Sequence, residues 1–143
     1  MDIKELLDKE GKYVGPTKGV SMLPMLKAGR DTVVIYPKRE RLKRYDVALY
    51  FSGEKLVLHR VIEVLNDGYL IRGDNCYSDE YVKESRVIGV LTEYFRKNER
   101  IKVDDAKYVK YAERRVKNYK VRRIVFKVKR RIVLLGKKIL RKN

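Results

Sequence analysis

The chain of 143 residues has one cysteine, Cys76, and one histidine, His59. A single cysteine rules out an internal disulfide, and the two together suggest no metal cluster. Long hydrophobic runs are missing too. The longest apolar stretches are about five residues, such as IVLLG at 132–136, far below the ~20 needed to cross a bilayer. The opening MDIKELLDKEGK has no apolar core of a secretory leader. The expected location is therefore the cytoplasm, with membrane contact only at the surface, at the inner membrane face. No cofactor is indicated.

Negative charge is also scarce, and unevenly so. Lys and Arg number 36 against 19 Asp and Glu, a formal charge of +17. Residues 104–143 hold 16 Lys/Arg against Asp104, Asp105 and Glu113, whereas the first 103 residues hold 20 against 16. An anionic partner is expected, and the signal for it belongs to the C-terminal part. The division is thus a body at 1–103 and a basic tail at 104–143.

What is present in the body is β pattern. A short helix is expected at 2–9, ended by Gly11, Gly15 and Pro16. DTVVIYP (31–37), DVALYF (46–51), KLVLHRVIEVL (55–65), YLIRG (69–73) and RVIGVLTEYFRK (86–97) are rich in β-branched and aromatic residues. SGE at 52–54, NDG at 66–68 and the loop GDNCYSDE at 73–80 separate them, and NDG is a hairpin signal. Strands without intervening helices predict an antiparallel sheet or partly open barrel. In the tail Val121, Ile124, Val125, Val128, Ile132, Leu135 and Ile139 recur at steps of three and four, with Lys and Arg between. This predicts a basic amphipathic helix, broken near Lys120 and loosened at Gly136.

Three short stretches carry candidate chemistry. In GVSMLPML (19–26) a serine sits among apolar, turn-forming residues. Ser21 is either a nucleophile awaiting a base or a serine bonded to its own backbone. Met22, Leu23, Met25 and Leu26 either line a cleft or enter the core. In VLHRV, alternation puts Val57, His59 and Val61 on one strand face and Leu58, Arg60 and Ile62 on the other. His59 is either a core histidine or a general base held on a rigid strand. In RGDNCYSDE, Asp74 and Asp79 are either loop-forming residues or a carboxylate that orients the histidine. Cys76, in the same loop, is expected to be a half-buried thiol.

GVSMLPML, YDVALY, LHRV and RGDN-x3-D, in this order over about 80 residues, resemble the successive boxes of the signal peptidase I and LexA-like serine peptidase superfamily. The resemblance covers roughly residues 15–95, with RVIGV similar to the strand that closes that domain. It implies a nucleophile at Ser21, a base at His59 as in the histidine-bearing branch, and a supporting carboxylate at Asp74 or Asp79. It implies a signal-peptidase-like β domain, and an extended peptide substrate with small residues before the cut, near Gly19, Val20, Met22, Leu23 and Met25. Three departures stand out, the most important being that the membrane anchor expected of true signal peptidases is not seen in this sequence. Gly19 replaces a serine whose hydroxyl helps bind the oxyanion in many members, and Tyr45 replaces the glycine that usually precedes Asp46.

The expected activity is hydrolysis of a cytoplasmic leader peptide, or of a precursor at the inner membrane face. LexA-like self-cleavage is disfavoured, because only 20 residues precede Ser21 and they contain no Ala-Gly. The alternative is a non-catalytic module whose basic tail binds an anionic membrane or nucleic acid. Tyr108, Tyr111, Tyr119 and Phe126 among the cations would suit stacked bases, while the continuous apolar stripe favours the membrane.

Overall fold

The computed structural model describes residues 2–142. Helix α1 (Ile3–Glu10) leads into eight strands: β1 (Tyr13–Pro16), β2 (Asp31–Pro37), β3 (Val47–Ser52), β4 (Lys55–Val64), β5 (Gly68–Arg72), β6 (Glu80–Lys83), β7 (Val87–Arg96) and β8 (Glu99–Lys102). A single 3-10 turn, Glu84–Arg86, precedes β7. Helices α2 (Ala106–Lys117) and α3 (Tyr119–Lys142) follow. All strand pairs are antiparallel, in the order β1-β2-β7-β3-β4-β5-β6, with β8 on β7. The protein is mainly β: an antiparallel half-barrel with helices and a C-terminal helix.

The sheet curls because it is interrupted. Register shifts fall between Val34 and Ile35, between Leu49 and Tyr50, and between Val61 and Glu63. Each bends a strand and tightens the local twist. The curl shows in one contact: Ser52 and Tyr50 on β3 both reach the Glu80 carboxylate on β6 at 2.8 Å. In a flat sheet these strands would stand three spacings, roughly 14 Å, apart.

Strand alternation builds two cores. Val33, Ile35, Val47, Leu49 and Leu91 face a core closed by Leu7 of α1, by Met22, Met25 and Leu26, and by Tyr108 and Ala112 of α2. Ala48, Tyr50, Val61, Tyr69, Ile71, Val82 and Val87 form the second core. The five expected strands lie within a residue or so of their anticipated ends. Strands β1, β6 and β8, four residues each, had no clear pattern of their own.

The basic tail differs from expectation in two respects. It is two helices, with the break expected near Lys120 falling at Asn118, but α3 runs through Gly136 without interruption. In addition, α2 belongs to the body, since Tyr108 and Ala112 are buried in the first core.

Candidate functional site

The apolar character of GVSMLPML is explained by anchoring. Gly19 takes φ +75°, the left-handed region that favours glycine, and starts a turn through Met25. The turn is closed by Leu23 N–H to Val20 O at 3.2 Å and Leu26 N–H to Met22 O at 2.9 Å. Met22 and Met25 are 4% and 2% exposed. Their place beside a substrate is therefore corrected: they hold the turn to the core. Leu23 is half-buried, Gly19 and Val20 are exposed, and Ser21 sits half-buried at the rim.

The Ser21 backbone and the His59 ring both approach Gly73, the residue after β5. A Cβ on Gly73 would stand 2.7 Å from Ser21 O, 2.7 Å from Cys76 Sγ and 3.0 Å from His59 Nε2. Nε2 and the Ser21 carbonyl oxygen are thus no more than 5.7 Å apart, the sum of their distances from that point. Only a glycine lets the serine turn, the imidazole and the thiol close on one spot. The loop then clamps the turn: Asn75 N–H donates to Ser21 O at 2.8 Å, and Asn75 Nδ2 donates to Val20 O at 3.1 Å.

The other side of the imidazole fixes its proton. His59 Nδ1 is 3.1 Å from the Tyr50 hydroxyl. That hydroxyl donates to Glu80 Oε2 at 2.8 Å, and Ser52 Oγ donates to Glu80 Oε1 at 2.8 Å. Tyr50 has one proton, and the carboxylate takes it. Burial and the bond to Glu80 push the phenol pKa far up, so the proton stays. The Tyr50 oxygen can then only accept from His59, which places a proton on Nδ1 and leaves the Nε2 lone pair free. Burial also pushes the imidazole pKa below its ordinary value, against an upward pull from the charges of Glu80 and Asp74. Burial thus favours the neutral imidazole.

Neither aspartate occupies this position, which corrects the expected third member. Asp74, buried, takes Arg60 Nε at 2.7 Å and Nη2 at 2.8 Å, and the Tyr111 hydroxyl at 2.9 Å. It acts on His59 only as a nearby charge. Asp79 bonds Arg72 Nη1 at 2.9 Å, and the Arg72 guanidinium lies 3.3 Å from the Tyr119 ring centroid. The nitrogen they were expected to hold is taken by Tyr50, which sits across the β3–β4 hairpin. Ala48 pairs with His59, so Tyr50 is its diagonal neighbour on the same face. The SGE turn carried that signal. Glu80 had none, because only the curl of the sheet brings β6 over β3.

Arg60 is the structural hub beneath the site. Fully buried, it bonds Asp74, Tyr45 O at 2.9 Å, Tyr108 Oη at 3.2 Å and Met25 Sδ at 3.2 Å. One residue thereby ties the serine turn, the aspartate loop and α2 together. Tyr45 has φ +77°, so the position where the resemblance places glycine does need left-handed backbone. Its ring offsets the strain by packing on the first core and beneath Arg44, 5.0 Å away. Cys76 is a free, half-buried thiol whose pKa is pushed up by burial. Among the described residues, no group of three or more His, Cys, Asp and Glu is placed to hold a metal.

A scan against protein-family models matches none, and a search of curated proteins finds no match.

Proposed function

We propose that the chain is a serine endopeptidase of the signal peptidase and LexA-like type, with Ser21 as nucleophile and His59 as base. The observation that carries this reading is the nearness of His59 Nε2, left without a proton by the Nδ1 bond to Tyr50, to the Ser21 backbone beside Gly73. The half-barrel and the order of the boxes along it support the assignment. In the first step the Ser21 hydroxyl proton passes to Nε2 as Oγ bonds the scissile carbonyl carbon. The imidazolium returns that proton to the leaving amine as the C–N bond breaks. Water, deprotonated by the same nitrogen, then releases the acyl group and restores Ser21. Nδ1–H stays on Tyr50 throughout, and Glu80 steadies the charge that appears on the ring. With Gly19 in place of a hydroxyl donor, backbone N–H groups of the turn would stabilise the oxyanion.

An extended substrate has a path. A groove of about 530 Å³ is lined by Thr17, Lys18, Val33, Leu49, Leu56 and Leu58, among others. It runs between the segment entering the Ser21 turn and the strand leading to His59. Its apolar floor suits an extended leader or precursor peptide with small residues near the cut, and it replaces the two core methionines as substrate contacts.

The test needs no known substrate. The protein is incubated with a proteome-derived peptide library at neutral pH, and new termini are read by mass spectrometry. Wild type should generate termini that share small residues before the cut, and S21A and H59A should generate none. Cleavage surviving in S21A, or no cleavage by wild type in the presence of lipid vesicles, would overturn the proposal.

A further inference from the structure

Helix α3 touches the body at one end and along one side only. Tyr119 Oη donates to Tyr77 O at 2.6 Å, and Arg122 donates to Asp74 O at 3.0 Å and to Arg115 O at 3.1 Å. The Phe126 ring stacks on Tyr77 with centroids 4.2 Å apart. From Lys127 to Lys142 every residue is exposed. The 24 residues span roughly 36 Å, so more than half of the helix stands clear of the fold.

The exposed part is not a plain solvated helix. With 100° of turn per residue, Val121, Ile124, Val125, Val128, Ile132, Leu135 and Ile139 share an arc of about 100°. All seven are 45–64% exposed. The arc lies roughly 140° round the helix from Tyr119, Arg122 and Phe126, so it faces away from the body. The helix also carries eleven Lys and Arg and no acidic residue, and Val133, Leu134 and Leu140 are exposed outside the arc. Arg131 and Lys138 border one edge of the stripe, and Lys129 borders the other. Among the described residues, no helix is long and apolar enough to cross a membrane.

We propose that α3 lies in the plane of an anionic lipid bilayer, with its apolar stripe at the acyl boundary and its Lys and Arg heads among the lipid phosphates. Charge decides between the possible occupants. A second copy would face stripe to stripe with eleven uncompensated cations on each helix. Nucleic acid would neutralise the cations but leave the stripe in water. An anionic bilayer satisfies both faces, because the long stems of cations beside the stripe reach up to the phosphates while the stripe is buried. This proposal does not depend on Ser21 being a nucleophile.

The chain has no tryptophan, so Val128→Trp supplies a single indole in the stripe, excited selectively over the tyrosines. The full-length protein is mixed with vesicles of phosphatidylcholine alone or of equal parts phosphatidylcholine and phosphatidylglycerol, at about 0.15 M salt. Sedimentation and a blue shift with the anionic vesicles only are expected. Two charge-matched pairs are then compared, I132D/I139D in the stripe and K127Q/K138Q beside it, with helicity checked by circular dichroism. Losing two charges should weaken binding roughly fivefold per charge in both pairs. The stripe pair should lose roughly a further hundredfold. Equal losses in the two pairs, no blue shift on anionic vesicles, or displacement of the bound protein by RNA would each overturn the proposal.

Discussion

The Tyr50 hydroxyl lies 3.1 Å from His59 Nδ1 and gives its own proton to Glu80, so a tyrosine joins the histidine to its carboxylate. A direct aspartate would accept the Nδ1 proton as an anion. The phenol accepts it as a neutral dipole, with the negative charge one bond further away. The imidazole is held in the same tautomer with a weaker electrostatic pull, which fits a pKa that burial drives below the ordinary value.

Removing the phenol oxygen should free the tautomer. Tyr50→Phe keeps the ring in the second core, so the fold should remain while Nδ1–H loses its acceptor. We expect cleavage to fall roughly 10–100-fold in kcat with little change in KM, part of the roughly 100–10,000-fold that a positioned general base contributes. Nitrogen NMR checks it directly, since the only imidazole signals come from His59. Wild type should show a protonated Nδ1, and the variant a mixture. An Nε2-protonated wild type would sink the relay.

The pH dependence has a defined sign. His59 works as the neutral base and its pKa is depressed, so activity should stay level below pH ~6.5 before it falls. The same shift links to stability: its contribution is present above the unfolded pKa and is lost as pH falls through the folded one. Glu80→Gln removes a charge that raises the His59 pKa, so the acid limb should move to still lower pH even as the rate drops. The titration is followed by NMR and by the pH–rate profile. An upward movement would contradict the assigned electrostatics.

Asp74 is expected to act through stability. Asp74→Ala leaves the fully buried Arg60 guanidinium without its carboxylate, at a cost of about 3–5 kcal/mol in urea unfolding. The double variant R60M/D74L should regain part of that loss, because the uncompensated charge is gone. A D74A protein with the wild-type unfolding midpoint but no activity would instead make Asp74 a catalytic residue.

Gly73→Ala places a methyl group against the Ser21 carbonyl, Cys76 Sγ and His59 Nε2 at once. The thiol can rotate away, but the Ser21 backbone is held by Asn75. A stability loss of about 1–3 kcal/mol is expected, with a much larger loss of cleavage because Ser21 and His59 are forced apart. Full activity in G73A would show that the site does not close at this point.

Much of the architecture was legible in local pattern. The five long strands, the NDG turn and the short first helix followed from β-branched runs and turn residues. The order of the boxes led to the expectation that Ser21 and His59 act together, and the Ser21 carbonyl and His59 Nε2 both lie beside Gly73. The shorter strands β1, β6 and β8 were not legible, since four residues carry too little alternation and their pairing comes from neighbours. The core role of Met22 and Met25 was likewise undecided, because an apolar side chain beside a serine suits a cleft and a core equally well.

The sequence by itself determined which side chains share a strand face, because alternation is a property of the extended backbone. It therefore placed His59 apart from Arg60, and it set the stripe and charge of α3 by helical period. Tertiary structure alone decided which carboxylate serves which donor. Asp74 went to Arg60, Asp79 to Arg72 and Glu80 to Tyr50. Those choices depend on the curl of the half-barrel, which brings β6 over β3. A long-range closure of that kind leaves no trace in the spacing of residues along the chain.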